Sequence, residues 1–102
     1  MPAIGVLTLE LRLEHCHSLK EKRHWVRGVK DRLRAGHNVS VSEVADQDLW
    51  QRSVICAVTV SPSRQHAAQV LEAAERTAAG FLGPNLISAA YDWLDGDAAG
   101  DW

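Results

Sequence analysis

Residues 3–14, AIGVLTLELRLE, alternate strictly over their second half. Leu7, Leu9, Leu11 and Leu13 point one way, and Thr8, Glu10, Arg12 and Glu14 the other. A period of two predicts a strand buried on one side. His15, Cys16 and His17 form a connection, and at Ser18 the period changes to that of a helix. Ser18 with Glu21 three places on has the form of a capping box, each side chain satisfying the other residue's amide. Gly36 and His37 close this first helix, with Gly36 as the expected left-handed terminator. Residues 38–45, NVSVSEVA, predict a second strand with Val39 and Val41 inward. Asp46, Gln47 and Asp48 then make a turn.

Residues 50–61 predict the third and most apolar strand, with Val54, Cys56, Val58 and Val60 assigned to the buried face. Ser61-Pro62 suits an N-cap followed by proline in the first turn, with Ser63 as the alternative cap. Ala67, Val70, Leu71, Ala74, Ala78 and Phe81 carry a second helix to about Leu82, where Gly83-Pro84 stops it. Residues 85–94 predict a fourth strand. The resulting order is β-α-β-β-α-β, and right-handed crossovers leave a gap that the third strand fills. The expected fold is a ferredoxin-like α/β sandwich over 1–94. Its first and third strands are central, all four are antiparallel, and both helices cover one sheet face. Leu7 to Leu13 and Val54 to Val60 are expected beneath the helices. The remaining DGDAAGDW, 95–102, reads as a mobile acidic tail.

The first helix carries the most informative pattern. At about 100° per residue, Lys20, Arg23, Arg27, Lys30 and Arg34 fall within an arc of roughly 80°. Leu19, Val26, Val29 and Leu33 form an apolar stripe beside it. A helix that docks by one flank and shows five fixed positive charges on the next suits a polyanion, most often a nucleic acid backbone. Arg32 could assist. The competing reading is a solvated face that only keeps the protein soluble. Lys22 lies inside the apolar stripe, so it either snorkels past the sheet edge or reaches a partner near the strand ends.

Composition refines this reading without replacing it. A chain of 102 residues that is 46% hydrophobic and 24% charged is one ordinary globular domain. The net charge of −2 hides an asymmetry: residues 1–38 hold eight Lys/Arg against four Asp/Glu, and 39–102 hold three against nine. That distribution permits a polyanion partner and equally permits self-association. With no basic leader ahead of the first strand and no apolar run near ~20 residues, a cytoplasmic protein without a membrane span is expected.

The segments GVLTLEL at 5–11, HSLKEKR at 17–23, KDRLR at 30–34, NVSVSEV at 38–44 and DQDLWQRSV at 46–54 resemble the YlxP-like family. These are small bacterial proteins that carry a domain-of-unknown-function label. The similarity spans 3–94, weakens after Val60 and does not include the acidic tail. It implies a ferredoxin-like fold and no established activity. Members are commonly encoded near genes of translation initiation and ribosome maturation, so the resemblance also points toward RNA.

Other chemistry is thinly represented. Neighbouring residues of an extended strand face opposite ways, so His15, Cys16 and His17 cannot converge on a metal without a turn. No CxxC or HxxxH spacing supports a zinc site with them, with His24 or with His37. A Cys16 nucleophile would need a base, an orienting carboxylate and an oxyanion hole, and only His17 is at hand. No phosphate loop or dinucleotide fingerprint occurs. Asp46, Gln47 and Asp48 could hold a hard cation but more commonly shape a turn. Trp50 is expected as a lid over one end of the core, and Trp25 as a core-edge residue.

The open sheet face, read as Val6, Thr8, Glu10 and Arg12 with Ser53, Ile55, Ala57 and Thr59, has no aromatics for base stacking. It suits a sheet-to-sheet contact better. The expectation is a non-enzymatic accessory protein with no cofactor. It binds RNA or a ribosomal particle through Lys20, Arg23, Arg27, Lys30 and Arg34, with Lys22, Asp46, Gln47, Asp48 and Trp50 as candidate partner contacts. The alternative is a homo-oligomeric module, a dimer joined through the open sheet face or an edge strand.

Overall fold

A computed structural model describes residues 2–94. The acidic tail, 95–102, lies outside the described residues. The chain runs β1 (Ala3–Arg12), α1 (Leu19–Gly36), β2 (Ser40–Ala45), β3 (Arg52–Ser61), α2 (Arg64–Leu82), a short 3-10 turn (Gly83–Asn85) and β4 (Leu86–Leu94). The sheet order is β2-β3-β1-β4, antiparallel throughout. This is the expected split β-α-β arrangement. Both helices lie over the leucine face of β1, where Leu7, Leu9, Leu11 and Leu13 meet Val26, Val29 and Leu33 of α1 and Leu71, Ala74 and Ala78 of α2.

The third strand corrects the sequence reading. The cross-strand pairs are Leu11↔Ser53, Leu9↔Ile55 and Leu7↔Ala57, so Ser53, Ile55, Ala57, Thr59 and Ser61 face the helices. Val54, Cys56, Val58 and Val60 lie on the open face instead. Directly opposed residues share a face, and a shift of one residue inverts the whole row. Three hydroxyls make the inward row look polar in sequence, yet each is spent internally. Ser53 Oγ donates to Glu43 Oε2 at 2.6 Å, Thr59 Oγ1 donates to the Asn38 carbonyl at 2.8 Å, and Ser61 Oγ accepts from the Ser63 amide at 3.1 Å. A buried hydroxyl costs little once paired. Apart from Ile55, the inward row is also small, beneath a second helix whose buried positions include Ala67, Ala74 and Ala78.

Helix ends show three smaller differences. Glu21 does reciprocate the Ser18 cap, but on the His17 amide (3.0 Å) rather than on that of Ser18. Gly36 is the last residue of α1, and the chain leaves through an extended His37 (φ −142°) whose amide donates to the Leu33 carbonyl at 3.0 Å. The left-handed glycine is Gly83 (φ 56°), which ends α2. Ser63 caps α2, so Pro62 precedes the helix and is not in its first turn.

Candidate nucleic-acid interface

The position of α1 decides what its charges face. One flank is locked to α2: Trp25 packs on Phe81 with ring centroids 5.4 Å apart, and the Arg32 guanidinium lies 3.9 Å above the same ring. Gly28 permits this approach, since a Cβ there would stand 2.6 Å from Phe81 Cζ. Arg32 also donates to the Gly28 carbonyl, so it is tied to the helix pair and turned away from the stripe. Trp25, in edge contact with His15 at 5.3 Å and packed on the core, is the core-edge residue expected.

The opposite flank carries Lys20, Arg23, Arg27, Lys30 and Arg34 and overhangs the free edge of β2. Lys20, Arg23, Arg27 and Arg34 are exposed, whereas Lys30 is half-buried. Among the described residues, none of the five has a carboxylate within ion-pair distance. Arg34 Nη2 donates to the Val41 carbonyl at 2.9 Å, which steadies the arginine and blunts the strand edge without neutralising its charge. Two shallow clefts run along the stripe. One, about 480 Å³, is lined by Lys20, Arg23, His24, Arg27, Gly28 and Asp31. The other, about 290 Å³, takes in Arg23, Arg27, Lys30, Asp31, Arg34 and Glu43. Asp31 is thus the acid that interrupts the surface, because Glu43 is already paired.

That pairing disposes of Lys22 as a surface contact. Its side chain is 2% exposed, with Nζ 3.0 Å from Glu43 Oε2 and also donating to the Asp46 carbonyl. Lys22 does not snorkel to solvent; of the two expected alternatives it takes a partner near a strand end, but within the chain, tying α1 to β2 and to the turn behind it. Asp46 accepts this bond in the left-handed region (φ 63°), where Asp is among the few tolerated side chains. The Asp46 carbonyl takes a second donor from the Leu49 amide at 3.1 Å, and Gln47 reaches back to the Glu43 carbonyl at 3.5 Å. Asp46 and Gln47 therefore shape the turn. A bulge between Glu43 and Ala45 precedes it.

Trp50 is not a lid over the core. It is 51% exposed beside Leu49 at 48%, and it lines an open cavity of about 550 Å³ with His17, Asp48, Gln51 and Arg52. No sequence signal distinguishes an indole held outward from one folded inward; only the pinned turn does so. Cys16 is fully buried, and burial first and the Glu21 carboxylate second push its thiol pKa up, partly offset by Lys22. A thiol so placed stays protonated at neutral pH. Among the described residues no three His, Cys, Asp or Glu side chains gather to hold a metal ion, and no helix is long and apolar enough to cross a membrane.

A profile described as "Protein of unknown function (DUF503)" matches residues 4–90. The chain belongs to this family. The curated "Uncharacterized protein YlxP" of Bacillus subtilis (strain 168) is 36% identical over 69 residues, spanning 68% of this chain and 75% of that protein. Among solved structures, the de novo designed protein Foldit4 superposes with a TM-score of 0.58 at 9% identity, over 93% of this chain and 98% of the design. A second design, LFR1 1 with ferredoxin fold, gives 0.50 at 11% identity, over 91% and 83%. Both likenesses concern the fold alone, and they agree with the β-α-β-β-α-β ferredoxin-like reading.

Proposed function

We propose that this DUF503 member binds structured RNA, free or within a ribonucleoprotein, through the cationic flank of α1, and that it does so as a non-enzymatic accessory protein. The observation that carries this reading is the state of the five cations. Lys20, Arg23, Arg27, Lys30 and Arg34 share one flank without a carboxylate partner among the described residues. Over 14 residues at ~1.5 Å rise each the stripe spans about 21 Å, long enough to follow several phosphates. Each cation that meets a phosphate releases counterions, which gives affinity that falls with salt. The neutral alternative, a face that only confers solubility, does not need the charges to share one flank. Retention of purified RNA or ribosomal particles on the immobilised protein, titrated with salt, tests the proposal. Retention at low salt that disappears steeply as salt rises supports it, and no retention at low salt removes it.

A second reading is favoured by the corrected third strand. Ile4, Val60 and Leu94 form an apolar row across three strands of the open face, with Val6 and Val58 in the next row. Val58, Val60 and Leu94 are 36%, 58% and 53% exposed. Exposed apolar rows of this kind commonly mark interaction surfaces, here a sheet-to-sheet dimer. Light scattering across concentration separates this reading, and it leaves the α1 flank free on each copy.

A further inference from the structure

We infer that the cavity around Trp50 takes an unpaired nucleotide base of the RNA whose phosphates lie on the α1 stripe; this rests on the reading above and names the kind of RNA. Three observations converge. First, the backbone bracketing Trp50 is fixed on both sides. Ahead of it, the Asp46 carbonyl is held by Lys22 Nζ and by the Leu49 amide. Behind it, the Gln51 carbonyl accepts from the Leu13 amide at 2.8 Å, while Gln51 Nε2 donates to the carbonyls of Glu14 (3.0 Å) and Cys16 (3.2 Å). This segment is tied at both ends by hydrogen bonds, yet its largest side chain faces outward. An exposed indole carried on a hydrogen-bonded backbone offers a stacking face that any base can use.

Second, the wall chemistry suits a base better than a phosphate. His17 and Arg52 offer donors or a stacking plane, and Asp48 presents a carboxylate. That carboxylate repels phosphate but accepts from the exocyclic amine of cytosine, adenine or guanine. Third, the cavity wall includes the residue that leads into α1, although the cavity shares no lining residue with the two clefts of the stripe. His17 on its wall precedes the Ser18 cap, and Lys20 lies in the first turn of α1. A strand that passes the N-terminal end of the stripe beyond Lys20 meets His17, and with it the wall of the Trp50 cavity. A perfect duplex keeps its bases stacked within the helix and offers nothing to this cavity. The partner is then an RNA with a bulged, looped or terminal unpaired nucleotide next to a helical segment.

The test compares two labelled, blunt-ended RNA duplexes of equal length without loops, one fully paired and one with a single bulged purine, by fluorescence anisotropy at fixed low salt. Wild-type protein is expected to prefer the bulged duplex. Trp50→Ala should weaken binding of the bulged duplex by about tenfold, within the range measured for base–aromatic stacking. It should leave the paired duplex within twofold, and Trp50→Phe should retain most of the preference. The log-salt slopes should not change, because every phosphate-binding cation is still in place. A thermal midpoint close to wild type confirms that the variant is folded. Equal weakening on both duplexes, or none on either, overturns the base assignment while leaving the stripe intact. If wild-type protein binds neither duplex, the stripe reading fails and takes this one with it.

Discussion

Lys22 and Glu43 place a charged pair where α1, β2 and the following turn meet, with Ser53 and the Asp46 carbonyl completing its hydrogen bonds. Removing one member of such a pair strands the other charge, at a cost of about 3–5 kcal/mol. Lys22→Met is therefore expected to lower unfolding free energy by that amount in urea titrations. The double variant Lys22→Met/Glu43→Gln should lose clearly less than the two single losses added together. A small loss for Lys22→Met would show the pair to be unimportant. Two other groups contribute to the alkaline limb. Burial holds the Cys16 thiol above its ordinary 9.0, and burial together with its hydrogen bond to Glu75 holds the Tyr91 hydroxyl well above its ordinary 10.0. Both raised values favour the protonated folded state. Their contribution is complete below the unfolded values, starts to fall as pH passes them, and is lost as pH rises through the raised folded values. The urea midpoint should fall between about pH 9 and 11, and Tyr91→Phe should shallow that fall. Alkylation of native protein should reach half-buried Cys56 well before Cys16.

At the scale of elements, α1 is held by a close approach that its sequence does not advertise. In an exposed helix Gly→Ala gains about 1 kcal/mol. At Gly28 the added methyl meets Phe81 Cζ at 2.6 Å, so Gly28→Ala should destabilise. Gly80, with nothing within 4 Å of such a methyl, should show the ordinary gain. Denaturant midpoints of the two variants should move in opposite directions. Periodicity makes most elements legible: the leucine row of β1, the capped amphipathic α1, the glycine-proline stop of α2. It fails on β3, where both faces could pass for core. Val54, Cys56, Val58 and Val60 outweigh Ser53, Ile55, Ala57, Thr59 and Ser61 in hydrophobicity, and only the register against β1 chooses between them. The stripe itself is legible because five cations at helical spacing need no partner to be seen. Lys22 and Trp50 are not, because their fates depend on a turn that meets α1 only in the folded chain.

The whole molecule presents two different surfaces. The open sheet face grades from the apolar Ile4, Val60 and Leu94 row to Arg12 and Arg52 at the other end. Should it join two copies, Val60→Lys should keep the protein monomeric at concentrations where wild type scatters as a dimer, with RNA affinity per chain unchanged. The α1 flank is the surface on which the proposed function depends, and one measurement tests it most directly: the log-salt slope of affinity for a duplex RNA, wild type against Arg23→Gln/Arg27→Gln/Lys30→Gln. Surface substitutions of this kind cost within about 0.5 kcal/mol each, so the variant should remain folded. If the stripe meets phosphates, affinity falls on every sequence tried and the slope flattens by about 0.9 for each phosphate-bound cation removed, so by roughly two to three in all. A slope and affinity equal to wild type would contradict the account.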